Sequence, residues 1–134
     1  MTANIKSKVA RLIEQGKLIK AKSLCSNLCK KTPTDPEAWF LLGSINGAIG
    51  DFHTAELCCR KALKFTSQNH MLLFNLGIAL LKQGKTDDAI KQFRKAIQIY
   101  PPFADAYLEI ANALNFKGDI TNSITNYEKA IQLN

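Results

Sequence analysis

The chain is poor in the residues that catalytic sites most often use. It contains two histidines, His53 and His70, and neither has a nucleophile or a carboxylate at a spacing typical of an acid–base pair. We expect both histidines at the surface. The sequence GKT at residues 84–86 resembles the end of a phosphate-binding loop, but the glycine required five residues earlier is Ala79. No catalytic constellation remains, so we predict that the chain is not an enzyme.

Long apolar segments are also missing from the sequence. No apolar run approaches the roughly 20 residues that a membrane-spanning helix needs. Residues 1–17 contain a lysine or arginine every few positions and no continuous apolar core, which argues against a secretory signal. We therefore expect a cytoplasmic protein that has no membrane partner.

The four cysteines, at positions 25, 29, 58 and 59, do not have the spacing of a zinc-binding motif. Zinc fingers use two pairs of ligands, each with residues between its members, whereas here a four-residue step is combined with an adjacent pair, Cys58 and Cys59. Cys25 and Cys59 are one repeat apart, at the position that Phe93 and Tyr127 occupy later in the chain. We predict packed core thiols, with no metal and no cofactor.

Positive charge is concentrated near the start of the chain. Residues 1–35 contain eight Lys or Arg and two Asp or Glu, a net charge of +6, whereas residues 104–134 contain two and four, a net charge of −2. Nucleic-acid-binding surfaces interleave basic and aromatic residues, and residues 1–35 contain no aromatic residue. We therefore expect no nucleic-acid partner. The basic segment would face solvent, an acidic partner or a neighbouring copy of the chain.

What the chain does contain is one pattern repeated four times. In residues 70–103, apolar residues recur at helical spacing in two segments, which Gly84 separates, and Pro101 ends the second segment. Each copy therefore predicts a helix, a tight turn and a second, antiparallel helix. The pattern recurs every 34 residues, with turn glycines at Gly16, Gly50, Gly84 and Gly118.

Polar residues stand where several of these helices would begin. Their side-chain oxygens can accept a hydrogen bond from a free backbone N–H of the first turn. Pro36 suits the first turn of its helix because its missing N–H is not needed there. The candidate caps are Asp35 or Thr34, Asp51, Thr86, and Asp119 or Thr121.

A period of 34 residues predicts an all-α solenoid, in which each repeat packs only on its neighbours. We assign the repeats to residues 2–35, 36–69, 70–103 and 104–134, as a single array. Lys8 and Arg11 replace apolar residues of the later copies, which suits an end of the array. The last helix leaves apolar residues uncovered. The chain is therefore expected to be a fragment of a longer protein or to self-associate through that helix.

These residues together resemble the tetratricopeptide repeat family. Its repeat has Trp, Leu, Gly and Tyr-like residues in the first helix and Ala, Phe or Tyr, Ala and Pro in the second. The first copy supplies only Ala21, Pro33 and Gly16 of this signature. The matches in the other three copies are Trp39, Leu42, Gly43, Ala55, Ala62, Leu76, Gly77, Ala89, Phe93, Ala96, Pro101, Tyr107, Ala111, Tyr127 and Ala130.

The resemblance implies a right-handed α-solenoid of four antiparallel helix pairs, with a concave groove that binds a peptide or protein segment. Such a chain would be a non-catalytic interaction scaffold. Phe74 and Asn75 are the strongest candidates for a real contact, whereas Phe40 and Leu108 could instead pack between neighbouring helices. The groove positions that the resemblance implies are Phe40, Ser44, Met71, Phe74, Asn75, Ile78, Lys82, Leu108 and Asn112, with Glu37, Leu41, Asp105, Glu109 and Asn115 beside them.

Two other functions are compatible with the same sequence. The array could be the accessory, substrate-positioning domain of a larger enzyme such as a transferase. It could also be a self-assembling scaffold in which the basic first repeat of one copy meets the acidic last repeat of another, because such head-to-tail contacts extend without closing.

The chain lacks the carboxylate clamp that chaperone-binding members of the resembled family use. That clamp needs Lys and Asn in one first helix, Asn in the first helix of the next repeat, and Lys and Arg in that of the third. When the comparison starts at residue 40, the corresponding residues are Phe40 and Ser44, then Asn75, then Asp105 and Glu109. A comparison that starts at Lys6 also gives no clamp. Because two carboxylates would repel an acidic tail, we predict no binding to a chaperone C-terminal peptide. Heat released on titration of such a peptide in a calorimeter would contradict this prediction.

Overall fold

The computed structural model describes residues 2–134, and that part of the chain forms eight α-helices and no β-strand. The all-α prediction is confirmed. None of these eight helices is long and apolar enough to cross a membrane. The helices are α1 (Thr2–Glu14), α2 (Leu18–Lys31), α3 (Pro36–Ile49), α4 (Phe52–Phe65), α5 (His70–Lys82), α6 (Thr86–Ile99), α7 (Ala104–Lys117) and α8 (Ile120–Leu133).

The chain forms two compact units, the first ending at Ser67 and the second running from Gln68 to Asn134. In the first unit, α1 packs on α2, α2 on α3, and α3 on α4. In the second unit, α5 packs on α6, α6 on α7, and α7 on α8. Each unit therefore contains two of the predicted helix pairs, and the fold is that of an α-solenoid of helix pairs.

The turn inside each helix pair depends on one glycine. Gly16, Gly50, Gly84 and Gly118 have φ angles of 72°, 97°, 80° and 89°. Residues with a Cβ rarely adopt this left-handed conformation, whereas glycine adopts it without steric cost. The predicted turn glycines are therefore confirmed in all four copies.

The residue after each turn glycine occupies the N-cap of the following helix, whatever its identity. Asp51 and Asp119 accept hydrogen bonds there from the backbone N–H groups of Thr54 and Asn122. In the third copy this position is Lys85. The prediction that Thr86 caps α6 was therefore wrong, because the turn fixes the cap position and Thr86 becomes the first helical residue.

Caps between the helix pairs also come from side-chain oxygens. Asp35, rather than Thr34, caps α3 by accepting a 3.0 Å hydrogen bond from the backbone N–H of Glu37. Asn69 caps α5 in the same way, with the N–H of Leu72 as donor at 3.0 Å. Asn69 was not among the predicted caps, although asparagine is a favoured N-cap residue.

All four cysteines are free and buried in the first unit. Burial raises the pKa of the Cys58 thiol to about 11 and that of the Cys59 thiol to about 12, so both stay protonated at neutral pH. Neutral buried thiols behave as small apolar residues. Within residues 2–134, no group of three or more His, Cys, Asp or Glu side chains is arranged to hold a metal ion.

In the third helix pair a glycine of α5 faces a large side chain of α6. A Cβ atom added to Gly77 would lie 2.5 Å from Cε1 of Phe93, a distance that real Cβ atoms essentially never show. Phe93 itself is completely buried. The missing side chain of Gly77 therefore makes the space that the Phe93 ring fills.

The same two positions are filled differently in the neighbouring copies. In the first unit they hold Gly43 and Cys59, and a Cβ on Gly43 would lie 3.5 Å from the Cys59 sulfur and 3.3 Å from Cys58 Cβ. In the last copy they hold Ala111 and Tyr127, and Tyr127 is only partly buried. The space opposite Gly43 is therefore less tightly filled than the space opposite Gly77.

One buried polar side chain of the first unit, Asn46, has an oxygen without a hydrogen-bond partner among the described residues. Asn46 is completely buried in α3, where the later copies have Leu80 and Leu114. Its Nδ2 donates to the carbonyl oxygen of Leu42 at 2.9 Å, but its Oδ1 has no partner among the described residues. An unsatisfied buried oxygen costs about 1–3 kcal/mol of stability.

We predict opposite sensitivities for two glycines that occupy the same repeat position. Gly77→Ala forces a methyl group into the Phe93 ring and should destabilise the protein by about 1–3 kcal/mol, the usual cost of overpacking. Gly43→Ala meets a looser site and gains helix propensity, so its effect should stay within about 1 kcal/mol. Urea unfolding followed by circular dichroism measures both. Equal losses for the two variants would show that the Gly77–Phe93 contact does not control the packing.

Candidate protein-binding surface

Seven of the nine predicted groove residues lie in the second unit, along α5 and α7. We call this surface the α5–α7 face. On α5 the residues follow helical spacing and share one side, and the same holds for α7. The members of the face are Met71, Phe74, Asn75, Ile78 and Lys82 on α5, and Asp105, Leu108, Glu109 and Asn112 on α7.

One ring contact and one charge interaction connect α5 with the start and the middle of α7. The ring of Phe74 lies 5.0 Å, centroid to centroid, from the ring of Phe103, the residue immediately before α7. Further along the two helices, Lys82 is close enough to Glu109 to lower the pKa of that carboxyl group. The two helices therefore border one continuous surface within the second unit.

The apolar centre of the face is supported from behind by aromatic rings. Phe74 packs edge-on against Phe93, with 5.5 Å between ring centroids, and also contacts Phe103. Phe93 and Phe103 are both buried. Phe74 is therefore fixed in position while part of its ring remains accessible, so its role is partly structural.

His70 belongs to the same aromatic cluster, and the prediction that it is a surface residue was wrong. Its ring is half-buried, stacks on Tyr100 at 4.7 Å and meets the edge of Phe103 at 5.4 Å. Tyr100 and Phe103 flank the Pro101–Pro102 turn between α6 and α7, and this turn passes the start of α5. His53, by contrast, is exposed.

Two large apolar side chains on the face are open to solvent. Met71 is 42% exposed and Leu108 is 41% exposed. Leu108 therefore does not pack fully between neighbouring helices, which was the alternative for this residue. Beside them, the amide of Asn75 is half-buried and has no hydrogen-bond partner among residues 2–134. An apolar surface with an unused donor and acceptor is typical of a site that receives a partner.

The acidic residues of the face lie one helical turn apart on α7. Burial raises the pKa of Glu109 above its usual value, Lys82 lowers it in part, and the nearby Asp105 raises it again. Neither Asp105 nor Glu109 belongs to an ion pair or accepts a hydrogen bond among the described residues. This part of the face therefore carries negative charge that is incompletely balanced.

The corresponding positions of the first unit are occupied differently. Lys6 on α1 forms ion pairs with Asp35 at 2.7 Å and with Glu37 at 2.9 Å. Burial raises the pKa of Asp35, but hydrogen bonds from Lys6 and from backbone N–H groups lower it below its usual value. A shallow cavity of about 390 Å³ lies beside these residues, lined by Thr2, Ala3, Lys6, Ser7, Ala10, Glu37 and Leu41.

The remaining predicted residues have partners within the chain. Phe40 and Ser44 lie half-buried on α3 of the first unit, and the Ser44 hydroxyl donates to the Phe40 carbonyl oxygen at 3.0 Å. Asn112 is exposed on α7, and its Oδ1 accepts a hydrogen bond from the Tyr127 hydroxyl of α8. The side-chain oxygen of Asn112 is therefore already hydrogen-bonded within its own helix pair.

The raised pKa of Glu109 predicts a pH-dependent effect of Glu109→Gln. A carboxyl whose pKa is raised on folding destabilises the folded state where it is ionised. The variant should therefore be more stable than the wild type at pH 7, by about 0.5 kcal/mol for a half-buried charge. This difference should vanish as the pH falls below the ordinary pKa of glutamate. Urea unfolding at pH 7 and pH 4 tests it, and a loss of stability at pH 7 would contradict it.

Solved structures with the same fold include several of MamA. One aligns with a TM-score of 0.93 at 23% identity, covering 98% of this chain and 77% of the MamA chain. Another, MamA 41-end from Desulfovibrio magneticus RS-1, aligns with a TM-score of 0.93 at 15% identity, over 99% of this chain and 75% of the other. Similarity at this level of identity shows the shared fold alone.

Curated relatives match over part of the chain. A protein STIP1 homolog of Dictyostelium discoideum is 34% identical over 64 residues, which are 48% of this chain and 11% of that protein. A peroxisomal targeting signal receptor of Saccharomyces cerevisiae is 27% identical over 77 residues, which are 58% of this chain and 13% of the receptor. The matched region thus spans little more than a tenth of the length of these relatives.

Family models identify the repeats directly. Two models, each described as tetratricopeptide repeat, match residues 71–103 in one case and residues 36–69 and 104–134 in the other. Their boundaries agree with three of the four copies defined by the 34-residue period. The chain belongs to the tetratricopeptide repeat family.

Proposed function

We propose that the chain is a non-catalytic interaction scaffold that binds an extended segment of a partner protein on its α5–α7 face. The observation that carries this proposal is the pair of exposed apolar side chains, Met71 and Leu108, on the same face as the partly accessible Phe74. Exposed apolar clusters with a polar border commonly mark interaction sites.

The rigidity of the face favours this use. Phe74 is held against Phe93 and Phe103, so the apolar centre is formed before a partner arrives. A preformed surface loses little conformational entropy on binding, and a few anchors can then give useful affinity. The free amide of Asn75 could form hydrogen bonds with the backbone of an extended segment, whose own groups are otherwise unpaired.

The relatives support the same proposal. One of them is named as a receptor for a peroxisomal targeting signal. By similarity, we propose protein recognition for this chain in the cytoplasm, without a nucleic-acid or membrane partner. An accessory domain that positions a substrate for an enzyme would use the same face.

Self-association through α8 is a second candidate, favoured by three exposed isoleucines. Ile120, Ile124 and Ile131 are 51%, 50% and 73% exposed and share one side of α8. One repeat earlier, the residue that corresponds to Ile124 is Ile90 of α6, and Ile90 is buried. Helix α6 packs on α7, the first helix of the following repeat. The side of α8 that is open is thus the side that α6 uses for packing.

The proposed binding face is tested with a double variant, Met71→Ser with Leu108→Ser. Both side chains are exposed, so the change should remove apolar contact area without opening the core. We expect the variant to lose the partners that the wild-type chain retains in a pull-down analysed by mass spectrometry. Burial of one such side chain contributes about 1.5–3 kcal/mol, so the loss should be at least tenfold.

Ile19→Ser is the matched control. Ile19 is 72% exposed on α2 in the first unit, so the variant removes a similar apolar area away from the α5–α7 face. Retention of the same partners by the wild type, the Met71/Leu108 variant and the Ile19 variant would show that recognition uses another surface. Loss in both variants would indicate non-specific apolar adhesion instead.

A further inference from the structure

The repeat relates an ion pair in the first unit to an aromatic contact in the second. Lys6 and Asp35, which form the 2.7 Å ion pair, stand two periods before Phe74 and Phe103, which are in ring contact. Glu37, the second partner of Lys6, stands two periods before Asp105. The cation that balances Glu37 thus has no counterpart beside Asp105.

The α5–α7 face is consequently both apolar and short of positive charge. Asp105 and Glu109 contribute two carboxylates, one turn apart, and Lys82 is the cation beside them on α5. Among the described residues, neither carboxylate has an ion-pair partner. Part of the role of Asp105 is explained by its place in the first turn of α7, where the helix dipole favours an acid. Glu109 lies beyond that turn and is partly desolvated.

We propose that the α5–α7 face selects partner segments in which an apolar residue and a lysine or arginine lie two positions apart, with the cation placed against Asp105 and Glu109. This inference rests on the proposed binding function of the face and specifies the chemistry of the partner. The occupant is a protein segment, because two carboxylates with no third ligand do not form a metal site.

The spacing follows from the geometry of the two chains. Along α7, Leu108 lies three residues from Asp105, about 4.5 Å of helix rise, and directly precedes Glu109. An extended segment directs every second side chain to the same side, about 6.6 Å apart. An anchor over Leu108 therefore brings the side chain two residues away within reach of the carboxylates.

A basic partner also removes an unfavourable interaction that the isolated chain retains. Asp105 and Glu109 repel each other, which contributes to the raised pKa of Glu109. A lysine or arginine beside them would offset this repulsion and provide charge-assisted hydrogen bonds. An acidic segment would increase the repulsion instead, so the face discriminates by charge.

The inference is tested by panning a phage-displayed library of random twelve-residue peptides on the chain. The selected peptides should be enriched in Lys or Arg two positions from an apolar residue. Their affinity should fall about fivefold in Asp105→Asn with Glu109→Gln, as expected for two partly screened charges. The matched control, Asp88→Asn with Glu128→Gln, neutralises two exposed carboxylates on α6 and α8 and should bind like the wild type.

The outcomes separate this inference from the proposed function. Peptides that require Met71 and Leu108 but show no basic enrichment, or that bind the Asp105/Glu109 variant unchanged, would overturn the inference and leave the binding face intact. Peptides that bind equally well to Met71→Ser with Leu108→Ser would overturn the proposed face itself. Selection of acidic peptides would contradict the charge argument directly.

Discussion

The close packing of Gly77 against the Phe93 ring, between α5 and α6, is the contact that positions the α5–α7 face. Gly77 lets the Phe93 ring fill the space between α5 and α6, and the same ring supports Phe74, which lies three residues before Gly77 on the same side of α5. The position of Phe74 determines where the apolar centre of the α5–α7 face lies. The packing of the Phe93 ring against Gly77 inside the core thus fixes the geometry of the proposed binding surface.

The repeats keep this backbone arrangement while changing the chemistry at equivalent positions. The Lys6–Asp35 ion pair of the first unit and the Phe74–Phe103 contact of the second both join consecutive first helices. The ionic version neutralises its acidic neighbour, Glu37, whereas the aromatic version leaves Asp105 unbalanced. The two units consequently present different surfaces built on one fold, and in the second an accessible apolar centre shares a face with two carboxylates that have no ion-pair partner among residues 2–134.

Most of the fold could be predicted from the sequence because helical spacing and the 34-residue period reinforce each other. The turn glycines and the buried cysteines also followed from repeat position. Thr86 and His70 could not be placed correctly, since the turn geometry decides which residue caps α6 and the path of the Pro101–Pro102 turn decides what covers His70. The sequence pointed to residues of the α5–α7 face through family resemblance. It could not reveal which of their charges are balanced, because that depends on contacts between helices.

Amide chemical-shift mapping in solution tests the central claim, recognition on the α5–α7 face, most directly. The labelled chain is titrated with a peptide selected by panning, and the shifts of each backbone N–H are followed. Our account predicts that the largest changes occur at Met71, Asn75, Leu108 and Glu109. Changes confined to α8, or to α4 and α6, would contradict it and would place recognition outside the α5–α7 face.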